Sequence, residues 1–344
     1  VLTAVLLALV RPIAAVMSTP AEAVEGTVQY LTICFVGIPF ITAYNIISSI
    51  FRGLGDSKSP MCFVAVACAA NIGLDYLFIG GMGLGPAGAA LGTTLSQTLS
   101  VVVALAVITR QKTGLPLGRA SFRPRRDILA PILKVGVPVA LQDGFIQVSF
   151  ILITIIANHR GLNDAAAVGI VEKVISFVFL VPSSMLSTVS ALAAQNAGAG
   201  KDRRAVQTLR YAVTLCLGFG LAVGVAVQFL AGNIVALFDP TPAVVEAGSQ
   251  YIRGYIWDCM FAGVHFSFSG YFCAYGRSGL SFLHNALSIV LVRIPGAYLM
   301  SQWFPETLLP MGCAAAAGSC LSVVVCVAAF AWLRRQESRP GAAA

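Results

Sequence analysis

Apolar residues fill long stretches of this chain without the three-and-four spacing of a soluble amphipathic helix or the alternation of a half-buried strand. Ten such stretches occur, at about 2–17, 29–51, 59–79, 86–109, 129–157, 165–197, 207–231, 244–275, 280–302 and 309–333. Crossing a hydrocarbon core of ~30 Å takes about 20 residues of helix, and all but the short first stretch reach that length. Turn-forming segments separate them, among them GLGDSKSP, GGMGLGP, NHRGLND, NAGAGKDRR, FDPTP, GRSG and FPETLLP. With no period-2 alternation a membrane barrel is excluded. The pattern predicts an all-α polytopic membrane protein with ten transmembrane helices, in which Pro39 and Pro182 mark bending points.

Composition supports this reading. Of 344 residues, 58% are hydrophobic and 10% charged, against roughly 45–50% and about 25% in soluble domains, which excludes a water-soluble enzyme. The net charge of +8 would suit an acidic partner such as nucleic acid until the charges are placed on the helices. If the helix beginning near 129 enters from the cytoplasm, 17 of the 22 Lys and Arg fall on the cytoplasmic side, from Arg52 and Lys58 through Arg123, Arg125 and Arg126 to Arg334, Arg335 and Arg339. Only Arg160 and Arg253 fall opposite, and Arg11, Lys173 and Arg293 lie within spans. This is the positive-inside bias of an inner (plasma) membrane protein whose C-terminus is cytoplasmic, and no nucleic acid is needed to explain it.

Candidate chemistry of other kinds is sparse. The nine cysteines lie mostly inside spans without CxxC spacing and read as small apolar packers. No HExxH, GxSxG or paired intramembrane aspartates occur, so an enzyme is not expected. GLGPAGAALG has the small residues of a dinucleotide loop but lacks a βαβ context, and suits close helix packing instead. No cofactor is predicted.

The chain also repeats itself. An offset of 221 pairs Val24 with Val245, Glu25 with Glu246, Gln29 with Gln250, Tyr30 with Tyr251, Gly55 with Gly276 and Ser57 with Ser278, and one residue later Tyr76 and Leu77 meet Tyr298 and Leu299. Helices two to four thus recur as helices eight to ten, an even displacement that makes the repeat parallel, about an axis along the membrane normal. The domains expected are an N-lobe of four helices (1–110), a basic cytoplasmic linker (111–127), a six-helix C-lobe (128–335) and a tail (336–344). Counterparts of helices five and six would precede Val1, so the repeat predicts a 6 + 6 protein lacking two helices, about 95 residues, at its N-terminus.

RGLGDSKSP (52–60), NIGLDYLFI (71–79), GLGPAGAALGTTLSQ (83–97), AQNAGAGKDRRA (194–205) and VRIPGAYL (292–299), together with GVPVALQ (136–142), resemble a transporter of the multidrug and toxic compound extrusion (MATE) family, in its bacterial branches. The resemblance covers essentially the whole chain in order. It implies two six-helix lobes around a central cavity, with inward H+ or Na+ movement driving export of small organic cations. It also implies an N-lobe cation site at Asn45, Asn71, Asp75 and Thr93. The family site uses a further acid on the first helix of the complete lobe, so here the site is incomplete.

The residues themselves are compatible with that role. Asn71 and Asp75 stand i, i+4 on one helix face. A carboxyl inside a span is costly and marks a functional site by default. Burial favours its neutral form and a nearby cation its ionised form, so one Asp can exchange a proton for Na+ or a cationic drug. A purely structural Asp, bonded to neighbouring donors, is the alternative. The second lobe differs: the offset places Phe266 at the Asn45 position, and Arg293 and Ala297 near those of Asn71 and Asp75. Its candidate cation or drug site is Asp258, flanked by Tyr255, Trp257 and Phe261, with Asp143 on helix five and His265 nearby in sequence. Arg293 is the alternative partner of Asp258, and His265 alternatively a packed, hydrogen-bonded histidine. Glu172 and Lys173 are adjacent and point apart, one toward a cavity and one toward the interface. The function expected is a monomeric multidrug efflux antiporter in the bilayer, with Asp75 as the switching carboxylate and H+ or Na+ as coupling ion. A flippase for lipid-linked oligosaccharides, or a non-functional truncated fragment, are the other readings.

Overall fold

The computed structural model describes residues 2–16, 24–110 and 125–337, and no strand occurs among them. Of the linker expected at 111–127, residues 111–124 lie outside these residues and Arg126 already begins a helix; of the tail expected at 336–344, residues 338–344 lie outside them. The chain divides into two units, 1–123 and 124–344. Unit 1 contains two short helices, α1 (Leu2–Ala8) and α2 (Val10–Val16), then α3 (Val24–Gly53), α4 (Lys58–Asp75), which runs into a π-helical turn (Tyr76–Gly81), and α5 (Gly85–Arg110). α5 packs along both α3 and α4, while α1 and α2 lie against α3. The GLGDSKSP segment makes the α3–α4 turn. Gly55 has φ +89°, and Asp56 Oδ1 accepts the backbone N–H groups of Lys58 at 2.9 Å and Ser59 at 3.1 Å, capping the start of α4. Hydrogen bonds from the Ser59 hydroxyl and N–H hold the Asp56 carboxyl below the ordinary carboxylate range.

Unit 2 contains α6 (Arg126–Asn158), α7 (Leu162–Val178), α8 (Leu180–Gly198), α9 (Asp202–Ala236), α10 (Pro242–Tyr255), α11 (Trp257–Ala274), α12 (Ser278–Ser288), a π-helical turn (Ile289–Arg293), α13 (Ile294–Trp303) and α14 (Leu309–Glu337). α11 sits at its centre, against α8, α9 and α14, with α10 against α7, α9 and α14. Tyr251, Tyr255, Val171, Ile175 and Met311 build one core, and Val189, Leu209, Phe268, Phe272 and Cys326 another.

Among the described residues, eight helical segments are long and apolar enough to cross a membrane. The other two of the ten expected segments are helical but different. Residues 2–16 form two helices of 7 residues each. The 242–274 segment is interrupted at Ile256 and carries Glu246 and Arg253, exposed on α10, and Asp258 and His265, buried on α11, which is enclosed by protein. The stretch expected as one helix over 165–197 is also divided, at Phe179. Pro182 explains that break, since it cannot donate to the carbonyl four residues back. Pro39, by contrast, lies inside an uninterrupted α3. Elsewhere large apolar side chains face outward, as Phe229 does at 81% exposure, on a surface suited to lipid.

Two features hold unit 2 together. α10 and α14 meet through glycines: a Cβ at Gly254 would come within 2.5 Å of Leu309 O and 2.9 Å of Cys313 N, and one at Gly312 would overlap Tyr251 O. Arg160, at the α6–α7 turn, reaches the α13–α14 connection. It pairs with Asp164 at 2.7 Å and donates to Ser301 O at 2.8 Å, Phe304 O at 3.2 Å, Pro305 O at 2.7 Å and Thr307 O at 3.5 Å. A cation on the side otherwise poor in Lys and Arg is thus committed to closing a loop. Gly254→Val should lower thermal stability by about 1–3 kcal/mol through overpacking, read as a fall in Tm. Arg160→Lys keeps the charge but cannot reproduce the planar fork, and a loss of about 1–3 kcal/mol in the same measurement is expected.

Candidate functional site

In unit 1 a carboxylate and several polar side chains gather on α4 and α5. Asn71 and Asp75 share a face of α4, and Asn71 Nδ2 donates to Asp75 Oδ1 at 3.4 Å. Across from them α5 presents Gly92, where a Cβ would overlap Asp75 Oδ1, so the glycine leaves room for the carboxylate. Directly after Asp75 the helix widens into its π turn, a distortion often found at functional sites. Tyr30 of α3 stands within electrostatic reach of Asp75.

Beside this pair is a cavity of about 170 Å³, whose walls include Asn71, Thr93, Tyr44, Ser96, Gln97 and Cys68. Asn71 therefore touches both the cavity and Asp75. Thr93 lies on its wall and donates to Ala89 O at 3.1 Å. Asn45 is not among the lining residues: its amide donates to Ile41 O at 2.9 Å on its own helix, and its neighbour Tyr44 faces the cavity instead. Gln97 stands outside the set expected from the sequence, yet its Oε1 is buried without a hydrogen-bond partner among the described residues. Its spacing from Thr93, one helical turn, is the signal that places it on the same wall.

Unit 2 assembles a different cluster. Asp258 is fully buried at the start of α11 and meets Arg293, the last residue of the second π turn, with Nη1 3.6 Å from Oδ2. Arg293 Nη2 also donates to the Tyr255 hydroxyl in a short hydrogen bond. Its guanidinium lies over the rings of Phe150 at 5.2 Å and Tyr255 at 5.6 Å. The cation that Asp258 meets is thus supplied by the chain. Tyr255 is turned to Arg293, whereas Trp257 packs on α9, its ring against Gly224. Phe261 is half-buried, and Asp143 is exposed on α6. His265 is 5% exposed, with ring centroids 4.8 Å from Phe266 and 5.4 Å from His284. Its Nδ1 has no partner among the described residues.

Glu172 joins this cluster, as adjacency to Lys173 did not reveal. It is half-buried on α7, accepts from Thr154 Oγ1 at 3.3 Å and lies within electrostatic range of Arg293, while Lys173 is exposed. Tyr251, the repeat equivalent of Tyr30, stands near the same charges. In each unit, then, the equivalent tyrosine neighbours an intramembrane carboxylate, but among the described residues only unit 2 adds an arginine.

The sequence profile of the MatE family matches residues 1–77 and 138–299. Among curated relatives, the probable multidrug resistance protein YpnP of Bacillus subtilis is 30% identical over 296 residues, covering 86% of this chain and 66% of that protein. The multidrug export protein MepA of Staphylococcus aureus is 25% identical over 296 residues, 86% of this chain and 65% of its own length. The chain thus spans about two-thirds of the length of these relatives. The fold is similar to that of a crystallised MATE protein in complex with MaL6, with a TM-score of 0.89 at 20% identity, covering 97% of this chain and 75% of that one.

An arginine removed from beside a buried carboxylate leaves an uncompensated charge. Arg293→Met should therefore destabilise the protein by about 3–5 kcal/mol, and adding Asp258→Asn should recover most of that loss, as measured by thermal unfolding of the single and double variants.

Proposed function

This chain belongs to the MatE family of multidrug and toxic compound extrusion transporters, and on that premise we propose that it is a multidrug efflux antiporter with Asp75 as its coupling carboxylate. The observation that carries the proposal is the Asp75–Asn71 pair, set against Gly92 and joined through Asn71 to the polar cavity of unit 1. Thr93, Ser96, Gln97 and Tyr44 add oxygen ligands there, of the kind a hard cation such as Na+ takes.

The mechanism follows from differential binding. Within a span, a neutral Asp75 and a cation-paired Asp75 are each tolerable, whereas a bare carboxylate is not. If the coupling ion and the organic cation stabilise opposite-facing states, an inward gradient of H+ or Na+ drives the substrate outward. Among the described residues no Lys or Arg lines the unit 1 cavity, which favours a cationic cargo over a pyrophosphate-headed one at that place. The multidrug names of the curated relatives point to the same class of small molecule. The basic ends of the spans orient the C-terminus toward the cytoplasm in this reading.

Asp75→Asn in the full-length transporter tests it. Efflux of a cationic dye from vesicles with an imposed H+ or Na+ gradient is expected to fall at least tenfold, with protein abundance unchanged. Gradient-driven efflux at the wild-type rate would remove Asp75 from the coupling role.

A further inference from the structure

Unit 2 carries an apolar groove with no part in the transport reading. α11, α12 and α14 form its walls from Phe272, Leu280, Leu283, Ala329 and Trp332, around a volume of about 430 Å³. Trp332 is 53% exposed at its rim. One wall residue is polar: His284 is 1% exposed and shares a hydrogen bond of 2.8 Å between Nε2 and Ser269 Oγ. Its Nδ1 has no partner among the described residues. In the tautomer that has the Ser269 hydroxyl donating to Nε2, Nδ1 carries a proton with no acceptor among the described residues, and buried donors are rarely left unsatisfied.

Phe272 lines both this groove and a smaller pocket bounded by Arg277 and Arg334. This pocket lies where α11 ends and α12 begins, beside the last turn of α14, which carries Arg334 and Arg335. Asp202, at the same end, is bonded by the Tyr275 hydroxyl at 2.7 Å. Basic residues at the end of a span, a tryptophan at the rim and an apolar groove running inward together match the layout of an anionic lipid, with phosphate outermost and acyl chain innermost.

We propose that this groove binds one anionic glycerophospholipid. Its phosphate meets Arg277 and Arg334, an ester oxygen accepts from His284 Nδ1, and an acyl chain lies along Leu280, Leu283, Ala329 and Trp332. Arginine is suited to the headgroup because its planar fork pairs with phosphate oxygens through two parallel hydrogen bonds. A zwitterionic lipid would bring its ammonium group to the same arginines.

The test compares dioleoylphosphatidylglycerol with dioleoylphosphatidylcholine added to the detergent-solubilised full-length protein, read by thermal unfolding and by native mass spectrometry. Phosphatidylglycerol is expected to raise Tm by several degrees and to remain bound as one copy, and phosphatidylcholine to do neither. Arg277→Gln with Arg334→Gln should abolish the preference, and Ala329→Phe, which fills the groove and spares the arginines, should abolish retention. Equal shifts with the two lipids would overturn the proposal, as would an undiminished preference in the arginine double variant. Water-soluble glycerophosphoglycerol producing the full shift would also overturn it, because the headgroup would then bind without the groove. These readouts involve neither Asp75 nor the unit 1 cavity, so they stand or fall independently of the efflux assay.

Discussion

Inside a bilayer's hydrocarbon core there is no water to solvate a charge or an open backbone group, so the chain must supply every partner itself. The rest of this structure follows from that constraint. It makes the described spans helical, and it places the charges that remain within them next to donors, counter-charges or aromatic faces. Arg293 illustrates the rule: it is 8% exposed, faces Asp258, bonds the Tyr255 hydroxyl and rests over two rings, while its Nε has no hydrogen-bond partner among the described residues. Replacing such a pair by apolar residues of similar volume is often neutral, whereas breaking it is costly. Its presence therefore argues for a specified geometry in unit 2 more than for stability.

The two repeats meet the constraint in different ways, and that difference separates their chemistry. At the register that aligns Tyr76 with Tyr298, Ala297 stands where unit 1 has Asp75, and it is buried in the core of unit 2. Its neighbour Gly296 brings α13 close to α14, since a Cβ there would stand 3.1 Å from the Ala314 Cβ. In unit 1 the small residue is instead Gly92 of α5, opposite the aspartate. The space that one repeat gives to a helix contact, the other leaves to a carboxylate. Both repeats distort the same helix with a π turn, directly after Asp75 in one and ending at Arg293 in the other. Among the described residues, unit 1 thus presents an acid without a fixed counter-charge beside a polar cavity, and unit 2 an acid held by an arginine. Exchange of a bound cation is accordingly proposed for the first.

Much of this was legible from one dimension. The positions of most spans followed from the length of apolar runs, the basic bias from where turns interrupt them, and the relation of the two units from matched residues such as Tyr30 and Tyr251. Asn71 and Asp75 could be paired because i, i+4 spacing puts two side chains on one helix face wherever the helix lies. Other elements escaped for identifiable reasons. The break at Phe179 depends on a proline three residues later, and the break at Ile256 has no proline at all. Asn45 shared a helix with the cavity wall but not its face.

What the sequence determined by itself was the class of the protein, because hydrophobic length and the placement of charge act locally and sum along the chain. Only the tertiary structure decided which charges are spoken for. Whether Asp258 faces a drug or Arg293, whether Glu172 turns inward, and which residues wall the groove beside His284 all depend on helices brought together from distant parts of the chain. Spacing along one helix fixes which residues share a face. It says nothing of what that face will meet.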